Sequence, residues 1–321
     1  VCVIICSTFS ILISSWFIRL NHNEKLYIKS ILIGKLKNDF MRVGKKIIFS
    51  LISIIVALIA IFSVYIYVSV PIPSNSQNKI VQISFDDVYL CIKDLKDTLR
   101  YTSVFQQPFF KSLKELHDVY GAVFSLYVYE KADNFVITEV PDKFRNEFIE
   151  NSEWLKFGYH AIEPRFDKKE QSLEFERSFL NVRKSILHWA GKSSLAPCLR
   201  LHYYFADDSM IAILKKYKVY HLLGADDEGR ISYNLNRLQS DSLYARRAYI
   251  YDSIYYHKTD IRIERMECFP LELLNYQNKD TITLFSHEWA MNGHRNILNR
   301  IKLRQSIKWL AKNNYKFTFL E

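Results

Sequence analysis

The stretch Ile80-Val81-Gln82-Ile83-Ser84-Phe85-Asp86-Asp87-Val88 gives the clearest indication of the fold. Its alternation of apolar and polar residues, with several β-branched side chains, predicts a β-strand. Two adjacent carboxylates, Asp86 and Asp87, stand at the end of that strand. Neighbouring residues on an extended chain point to opposite faces, but both can turn toward one cavity where a strand breaks into a loop. If the two carboxylates share a cavity, one can bind a metal and the other can hold or accept a proton. The alternative is a strand that ends in two solvated aspartates.

Strand-like and helix-like segments alternate after this stretch, which is typical of parallel β/α units. The number of strands predicts an α/β fold with a distorted (β/α) barrel of seven to eight strands. Residues 226–258 are the least regular and are expected to form an insertion or a hairpin over the barrel mouth. The predicted strands cover residues 80–88, 122–129, 154–159, 198–204, 219–223, 260–268, 281–286 and 316–320.

Residues 47–70 form an apolar run without a charged side chain, IIFSLISIIVALIAIFSVYIYVSV. About 20 such residues cross a bilayer core, so the run predicts an N-terminal transmembrane anchor, followed by a short stalk at residues 71–78. Arg42, Lys45 and Lys46 precede the run and predict a cytoplasmic N-terminal side. The barrel domain, residues 79–321, is therefore expected on the extracytoplasmic side, periplasmic or extracellular.

Residues 1–46 combine a second apolar run with a basic segment that is expected to be cytoplasmic. Residues 19–46 hold eight basic and two acidic side chains, which is most of the net charge of +10 of the 321-residue chain. This concentration beside an apolar run favours membrane topology over nucleic-acid binding, and no nucleic-acid motif is present. Met41 could also begin the protein, in which case the residues before it are an upstream extension.

Polar side chains recur in or at the ends of later predicted strands. In a β/α barrel the carboxyl ends of the strands carry the active site, so these side chains are expected to converge. Arg262 and Glu264 could equally form a structural ion pair, and Trp289 could belong to the core or offer a platform for a sugar. The residues concerned are His160, Arg200, His202, Arg262, Glu264, His287, Glu288 and Trp289.

The order of these motifs resembles that of the polysaccharide deacetylases, also called the NodB-homology or carbohydrate esterase 4 family. The resemblance covers residues 79–321 and rests on Ser84-Phe85-Asp86-Asp87, on His160, on Arg200 and on Leu284-Phe285-Ser286-His287. It implies a distorted β/α barrel with a divalent metal ion, often zinc. By position it implies that Asp86 is the general base, that Asp87 and His160 are metal ligands, that Arg200 orients the base, and that His287 is the general acid.

The chain departs from the family pattern at the expected third ligand. A second histidine normally follows the first by four residues, but Pro164 stands there. A catalytic zinc site needs three protein ligands and one open position. His202 is the first candidate for the third ligand because it ends another strand and could point inward near Arg200. Glu163 and Asp167 are the next candidates.

These features predict a membrane-anchored, metal-dependent hydrolase that removes acetyl groups from a cell-surface or extracellular polysaccharide. Tyr203, Glu264, Glu288 and Trp289 are expected to contact the substrate. The alternative is a degenerate, non-catalytic carbohydrate-binding or scaffold protein on the same barrel. A third possibility is a glycoside hydrolase that uses Glu264 and Glu288 as its pair of carboxylic acids.

Overall fold

The computed structural model describes residues 50–59, 79–267, 269–293 and 296–321. The chain divides after Ser74 into two units, and the candidate site lies in the second, Asn75–Glu321. In the first unit residues 50–59 are helical, while the rest of the predicted anchor, the predicted stalk and residues 1–46 lie outside the described residues. Within the described residues, no helix combines the length and apolarity needed to cross a bilayer.

Strands and helices alternate through the described part of the second unit, as the sequence predicts. The strands are β1 Ile80–Val88, β2 Phe124–Tyr129, β3 Lys131–Ala132, β4 Phe135–Val136, β5 Leu155–Ala161, β6 Cys198–Leu199, β7 His221–Leu223, β8 Ala248–Tyr251, β9 Ile254–His257, β10 Ile261–Arg262, β11 Thr281–His287 and β12 Lys316–Phe317. The helices are α1 Leu90–Asp94, α2 Pro108–Tyr120, α3 Arg145–Glu150, α4 Lys168–Trp189, α5 Asp208–Lys216, α6 Arg237–Arg246 and α7 Ile297–Lys312.

A six-stranded parallel sheet has β1 at its centre. Its order is β10-β11-β1-β2-β5, and β12 pairs with the first residues of β1. Asp86 lies opposite His287 in the register of β1 and β11, so the two motifs most distant in sequence are neighbours at the same edge of the sheet. The α/β class with a parallel sheet is confirmed.

A four-stranded sheet has the order β6-β7-β9-β8, in which the last two strands form an antiparallel hairpin. This hairpin and α6 occupy the region predicted to be irregular. One isolated parallel β-bridge pairs Phe157 of β5 with Leu195, three residues before β6. Within the described residues, the strand pairings do not join the two larger sheets into one closed ring, so the closed barrel stays a prediction.

Among the predicted strands that are shorter in the structure, two are followed by 3₁₀ turns. The strand expected at residues 198–204 ends at Leu199 and is followed by a tight 3₁₀ turn, His202–Tyr204. The strand expected at residues 260–268 covers only β10 before a similar turn, Ile263–Arg265. Both turns place polar side chains at the carboxyl ends of the sheet, where the candidate site lies.

Local sequence accounts for the bounds of α2. Pro108 occupies its first turn, where the missing N–H is not needed. The Gln107 side chain accepts hydrogen bonds from the backbone N–H groups of Phe109 and Phe110, and such capping is worth about 1 kcal/mol. Gly121, with a φ of 70°, ends the helix in the left-handed conformation that glycine adopts without steric cost. The helix predicted at residues 108–120 is confirmed.

Candidate metal centre

The end of β1 separates the two aspartates. Asp86 is only 3% exposed and accepts a hydrogen bond from Arg200 Nη1 at 3.1 Å. The register of β1 and β2 shifts between Phe85 and Val88, and within this irregularity Asp87 has a φ of 57°. Aspartate is among the few residues that adopt this left-handed region, and such an irregularity can re-aim a side chain. The two neighbouring carboxylates therefore have different partners.

Asp87, His160 and His202 form a cluster in which one donor atom of each lies within 4.8 Å of the other two. Asp87 Oδ1 is 3.3 Å from His160 Nε2 and 4.0 Å from His202 Nε2. In the described part of the chain, this is the one group of three such side chains that could hold a metal ion. Two imidazole nitrogens and one carboxylate oxygen are a donor set that suits catalytic zinc.

The hydrogen bonds of His160 decide which of its nitrogens faces the cluster. Its Nδ1 lies 2.7 Å from the backbone carbonyl oxygen of Arg200, and because a carbonyl only accepts, Nδ1 carries the proton. Nε2 therefore faces Asp87. Burial lowers the pKa of His160, but the nearby carboxylates of Asp87 and Asp86 outweigh it and raise that pKa above its usual value. A cation between His160 and Asp87 would satisfy the same electrostatics.

Asp87 and His202 have the protonation states that metal ligation requires. Burial would raise the pKa of Asp87, but the hydrogen bond and charge of His160, with smaller contributions from other neighbours, hold it well below its usual range. Burial and the charge of His160 lower the pKa of His202 to about 3, so this imidazole is neutral near pH 7. Its Nδ1 is buried without a hydrogen-bond partner among the described residues.

The other two candidates for the third ligand have different partners. Glu163 is 3.4 Å from Lys131 Nζ and 3.2 Å from Arg165 Nε. Asp167 caps α4, where its carboxylate accepts two backbone N–H groups at 3.0 and 3.1 Å. Neither belongs to the cluster, whereas His202 does.

Tyr129 also contacts the cluster, and the sequence did not predict it. The Tyr129 hydroxyl donates to Asp87 Oδ1 and lies 3.3 Å from His202 Nε2. Tyr129 is the last residue of β2 and is 1% exposed. Its position at the carboxyl end of a predicted strand was the available signal, but a tyrosine in an apolar run is ordinarily assigned to the core.

His287 lies on the other side of Asp87. Its Nε2 is 3.8 Å from Asp87 Oδ2, and its Nδ1 is hydrogen bonded to Glu264 Oε1. Glu264 also accepts from Ser286 at 2.8 Å and from Arg262 at 3.2 Å. Burial would raise the pKa of Glu264, but its hydrogen bond to His287 lowers it. The predicted ion pair with Arg262 is present, and Glu264 additionally orients His287.

Glu288 has a structural position that differs from the expected substrate contact. It is fully buried, and its carboxylate accepts the backbone N–H groups of Tyr89, Leu90 and Cys91 at 2.8, 2.8 and 2.6 Å. These are orphan donors at the start of α1, which a carboxylate satisfies well. The expectation that Glu288 binds substrate was wrong, and the same burial argues against a hydrolytic pair of Glu264 and Glu288.

Two exposed aromatic side chains flank the cluster. Trp289 is 48% exposed, stacks on His287 with ring centroids 5.0 Å apart, and donates from Nε1 to Asp87 Oδ2 at 2.9 Å. Tyr203 is 53% exposed and lies beside His202, 4.6 Å between ring centroids. Trp289 is therefore a partly exposed rim residue rather than a core residue. Both rings are accessible for contact with a ligand.

No protein-family model and no curated protein matches the chain. Several solved structures match the chain at low sequence identity. The catalytic domain of a peptidoglycan N-acetylglucosamine deacetylase from Eubacterium rectale is 13% identical, with 78% of this chain and 91% of that chain covered and a TM-score of 0.40. A family 4 carbohydrate esterase from Streptomyces lividans, in complex with acetate, is 10% identical, with 73% and 88% covered and a TM-score of 0.40.

A CE4 family pseudoenzyme from Bacillus anthracis is 9% identical, with 76% of this chain and 65% of that chain covered and a TM-score of 0.39. With TM-scores near 0.4, these similarities by themselves argue neither for an activity nor for its loss. Two of these three structures are named as members of carbohydrate esterase family 4, which is the family that the sequence motifs resemble.

Proposed function

We propose that the chain is a metal-dependent hydrolase that removes acetyl groups from a polysaccharide. The observation that carries this proposal is the meeting of Asp87, His160 and His202 within 4.8 Å. The arginine-bound Asp86 and the carboxylate-bound His287 lie at the same edge of the sheet. A metal-assisted hydrolase needs a ligand set, a base and an acid at one place, and these residues could supply all three.

The donor set fits a divalent metal ion, and zinc is the proposed one. Asp87 Oδ1, His160 Nε2 and His202 Nε2 would hold it, since three protein ligands are the rule for catalytic zinc. His160 has the supporting hydrogen bond that ligating histidines ordinarily make through their other nitrogen. Such an ion, when bound, polarises an acyl carbonyl and makes water a stronger acid.

Asp86 is the proposed general base. Arg200 Nη1 donates to one of its oxygens at 3.1 Å and to Ser84 Oγ at 2.8 Å, while Arg200 Nη2 donates to Thr259 at 2.9 Å. With Arg200 only 1% exposed, the carboxylate of Asp86 is held in one orientation. Asp86 would accept the proton of the attacking water, a transfer that contributes roughly 10²–10⁴-fold to rate.

His287 is the proposed general acid. Its hydrogen bond to the Glu264 carboxylate keeps a proton on Nδ1, because a carboxylate accepts. The second proton of the imidazolium then sits on Nε2, which faces the cluster. His287 would donate that proton to the leaving amine or alkoxide, and Glu264 would stabilise the charged ring, as carboxylates beside catalytic histidines do.

A polysaccharide is the proposed substrate because the site is flanked by exposed aromatic rings. Trp289 and Tyr203 are about half exposed, and aromatic faces provide apolar contact area together with a polar atom at the rim. Tyr203 also contacts Phe166, with ring centroids 4.6 Å apart and ring planes inclined by 33°, which extends the aromatic surface beyond His202. Glu264 would act on the substrate only through His287.

The membrane anchor, the extracytoplasmic location and the barrel complete the proposal. The anchor is supported by the charge-free run of residues 47–70 and by Arg42, Lys45 and Lys46 before it. The distorted barrel of seven to eight strands is supported by the parallel strand order and by the convergence of the candidate residues at the carboxyl ends of the strands.

A non-catalytic carbohydrate-binding protein is the second candidate. Pro164 stands where the family pattern has a histidine, and the buried Nδ1 of His202 has no partner among the described residues. An unsatisfied buried N–H costs about 1–3 kcal/mol, which would weaken metal binding through His202.

Metal content and acetate release from an acetylated glycan separate the two candidates. We expect the chain, purified without chelator, to hold one zinc ion and to release acetate. Asp87→Ala should lose the metal, whereas Asp86→Asn should keep the metal and lose turnover. A chain that takes up no zinc, nickel, cobalt or iron on reconstitution would favour the binding protein, and full activity in both variants would refute the mechanism.

A further inference from the structure

Both carboxylate oxygens of Asp87 accept hydrogen bonds from side chains that face the cluster. The Tyr129 hydroxyl at the end of β2 donates to Oδ1. The indole N–H of Trp289, two residues after β11, donates to Oδ2 at 2.9 Å. Tyr129 ends one of the strands that flank β1, and Trp289 follows the strand that flanks it on the other side. The Asp87 carboxylate is therefore hydrogen bonded from both sides of β1, with one donor on each oxygen.

We propose that Tyr129 and Trp289 are positioning residues that fix Asp87 for metal ligation through Oδ1 alone. This inference rests on the proposed function, because it assumes that Asp87 binds a metal ion. We call this pair of residues the Asp87 clamp. Neither residue ligates the metal ion in this proposal, but both influence the affinity of the site for it.

The geometry of the carboxylate explains why a clamp matters. The terminal torsion of an aspartate is broad, so an unrestrained carboxylate can present either oxygen or both. Oδ1 is the oxygen nearer to His160 and His202, at 3.3 and 4.0 Å. An ionised carboxylate oxygen has two lone pairs, so Oδ1 can accept from Tyr129 and still ligate. Trp289 donates to Oδ2 at 2.9 Å, which fixes the rotation of the carboxylate and keeps Oδ1 as the oxygen that faces the two histidines.

The backbone of Asp87 makes this restraint necessary. Its φ of 57° belongs to a sparsely populated region, in which a residue is held by its surroundings rather than by its own preference. Asp87 is also partly accessible, with 19% of its side chain exposed. The carboxylate would therefore sample other orientations if either donor were lost. Hydrogen bonds to metal ligands typically contribute 10–100-fold to metal affinity.

Three substitutions isolate the two hydrogen bonds. Tyr129→Phe removes the hydroxyl and keeps the ring. Trp289→Phe keeps an aromatic ring beside His287 and removes the N–H. Trp289→Gln restores an N–H donor, because the amide nitrogen of glutamine is as many bonds from Cβ as the indole nitrogen. Tyr255→Phe is the matched control, since Tyr255 is 44% exposed on β9 and lies outside the cluster.

The measurements are zinc affinity of the full chain, by competition with a chromogenic chelator, and the visible absorption spectrum of the Co²⁺ form. We expect Tyr129→Phe and Trp289→Phe each to bind zinc about 10–100-fold more weakly and to alter the Co²⁺ spectrum. Trp289→Gln should recover most of the affinity, and Tyr255→Phe should match the parent. A merely structural role would leave the Co²⁺ spectrum of the folded variants unchanged.

Two results would overturn the clamp and are distinguishable. If the parent binds zinc and both phenylalanine variants bind it equally well with the parent Co²⁺ spectrum, the clamp is wrong and the proposed metal site stands. If the parent binds neither ion, the proposed function and the clamp fall together. Should Tyr129→Phe not fold, the comparison of Trp289→Phe with Trp289→Gln decides, because Trp289 is at the rim.

Discussion

The backbone carbonyl of Arg200 accepts a hydrogen bond from His160 Nδ1 across 2.7 Å. The guanidinium of the same arginine donates to Asp86 at 3.1 Å. One buried residue thus orients a candidate metal ligand with its main chain and the candidate base with its side chain. Because His160 and Arg200 are 3% and 1% exposed, this orientation is set before any substrate arrives, as a preorganised site requires.

The two candidate histidine ligands should contribute unequally to metal affinity. His160 has its Nδ1 satisfied by Arg200, whereas the Nδ1 of His202 is buried without a partner among the described residues. Ligation through Nε2 leaves a proton on Nδ1, which for His202 costs about 1–3 kcal/mol. We therefore expect His160→Ala to weaken zinc binding roughly 5–150-fold more than His202→Ala does.

Isothermal titration with zinc would measure both constants. His188→Ala is the control, because His188 is an exposed residue of α4 and is not in the cluster. Equal losses in the two variants would contradict the assignment of unequal support. A zinc affinity unchanged in His202→Ala would exclude this residue as the third ligand.

Glu264→Gln should lower turnover without changing the metal content. The amide of glutamine can donate as well as accept, so it does not enforce a proton on Nδ1 of His287 as a carboxylate does. The loss in kcat is expected to be on the order of 10²-fold, at the lower end of what acid catalysis supplies. Steady-state acetate release and elemental analysis of the same preparation would measure both quantities.

Glu174→Gln serves as the control for that variant, because Glu174 is exposed on α4. An unaltered kcat in Glu264→Gln would show that the Glu264 to His287 contact has no part in proton transfer. A loss of zinc together with kcat would instead place Glu264 in support of the metal centre.

The positions of the candidate residues along the chain were predictable, and their final contacts were not. The alternation in β1 and the polar residues at later strand ends are local signals, and parallel strands bring their carboxyl ends to one edge. His202 could be chosen as the third ligand because it follows a predicted strand close to Arg200. The structure brings His202 within 4.8 Å of Asp87 and His160, and its ligation of a metal stays a prediction.

Glu288 and Tyr129 escaped prediction for a different reason. Glu288 accepts from backbone groups 197 to 199 residues away, and no sequence period reports such a contact. The contact of Tyr129 with Asp87 depends on the pairing of β1 with β2 and on the positive φ of Asp87. Aspartate tolerates that conformation without requiring it, so the turn of its carboxylate could not be inferred.

Glu288→Ala should lower the stability of the fold and should not act directly on the chemical step. Removing the carboxylate would leave three backbone N–H groups at the start of α1 without their acceptor. Hydrogen bonds to a charged group contribute about 1.5–3 kcal/mol each and are not additive, so we expect a loss of about 3–5 kcal/mol in the free energy of unfolding. Glu288→Gln should cost less, because its amide oxygen still accepts. Urea unfolding would test this order, and a loss below about 1 kcal/mol in the alanine variant would contradict it.

His257 should make the fold less stable in mild acid. Burial and the neighbouring His221, whose Nδ1 is 3.0 Å from His257 Nε2, lower the pKa of His257 to about 4. The usual pKa of histidine is about 6.5, so between these values the unfolded chain binds a proton that the folded chain does not. The stability that the neutral pair contributes is therefore complete above about pH 6.5. It falls as the pH drops toward 4, by an amount on the order of 2 kcal/mol.

His257→Gln removes this titration while keeping a polar side chain. The stability of the parent relative to this variant should decline between about pH 7.5 and about pH 4.5, and a difference in unfolding free energy that does not change with pH would show that His257 titrates alike in both states.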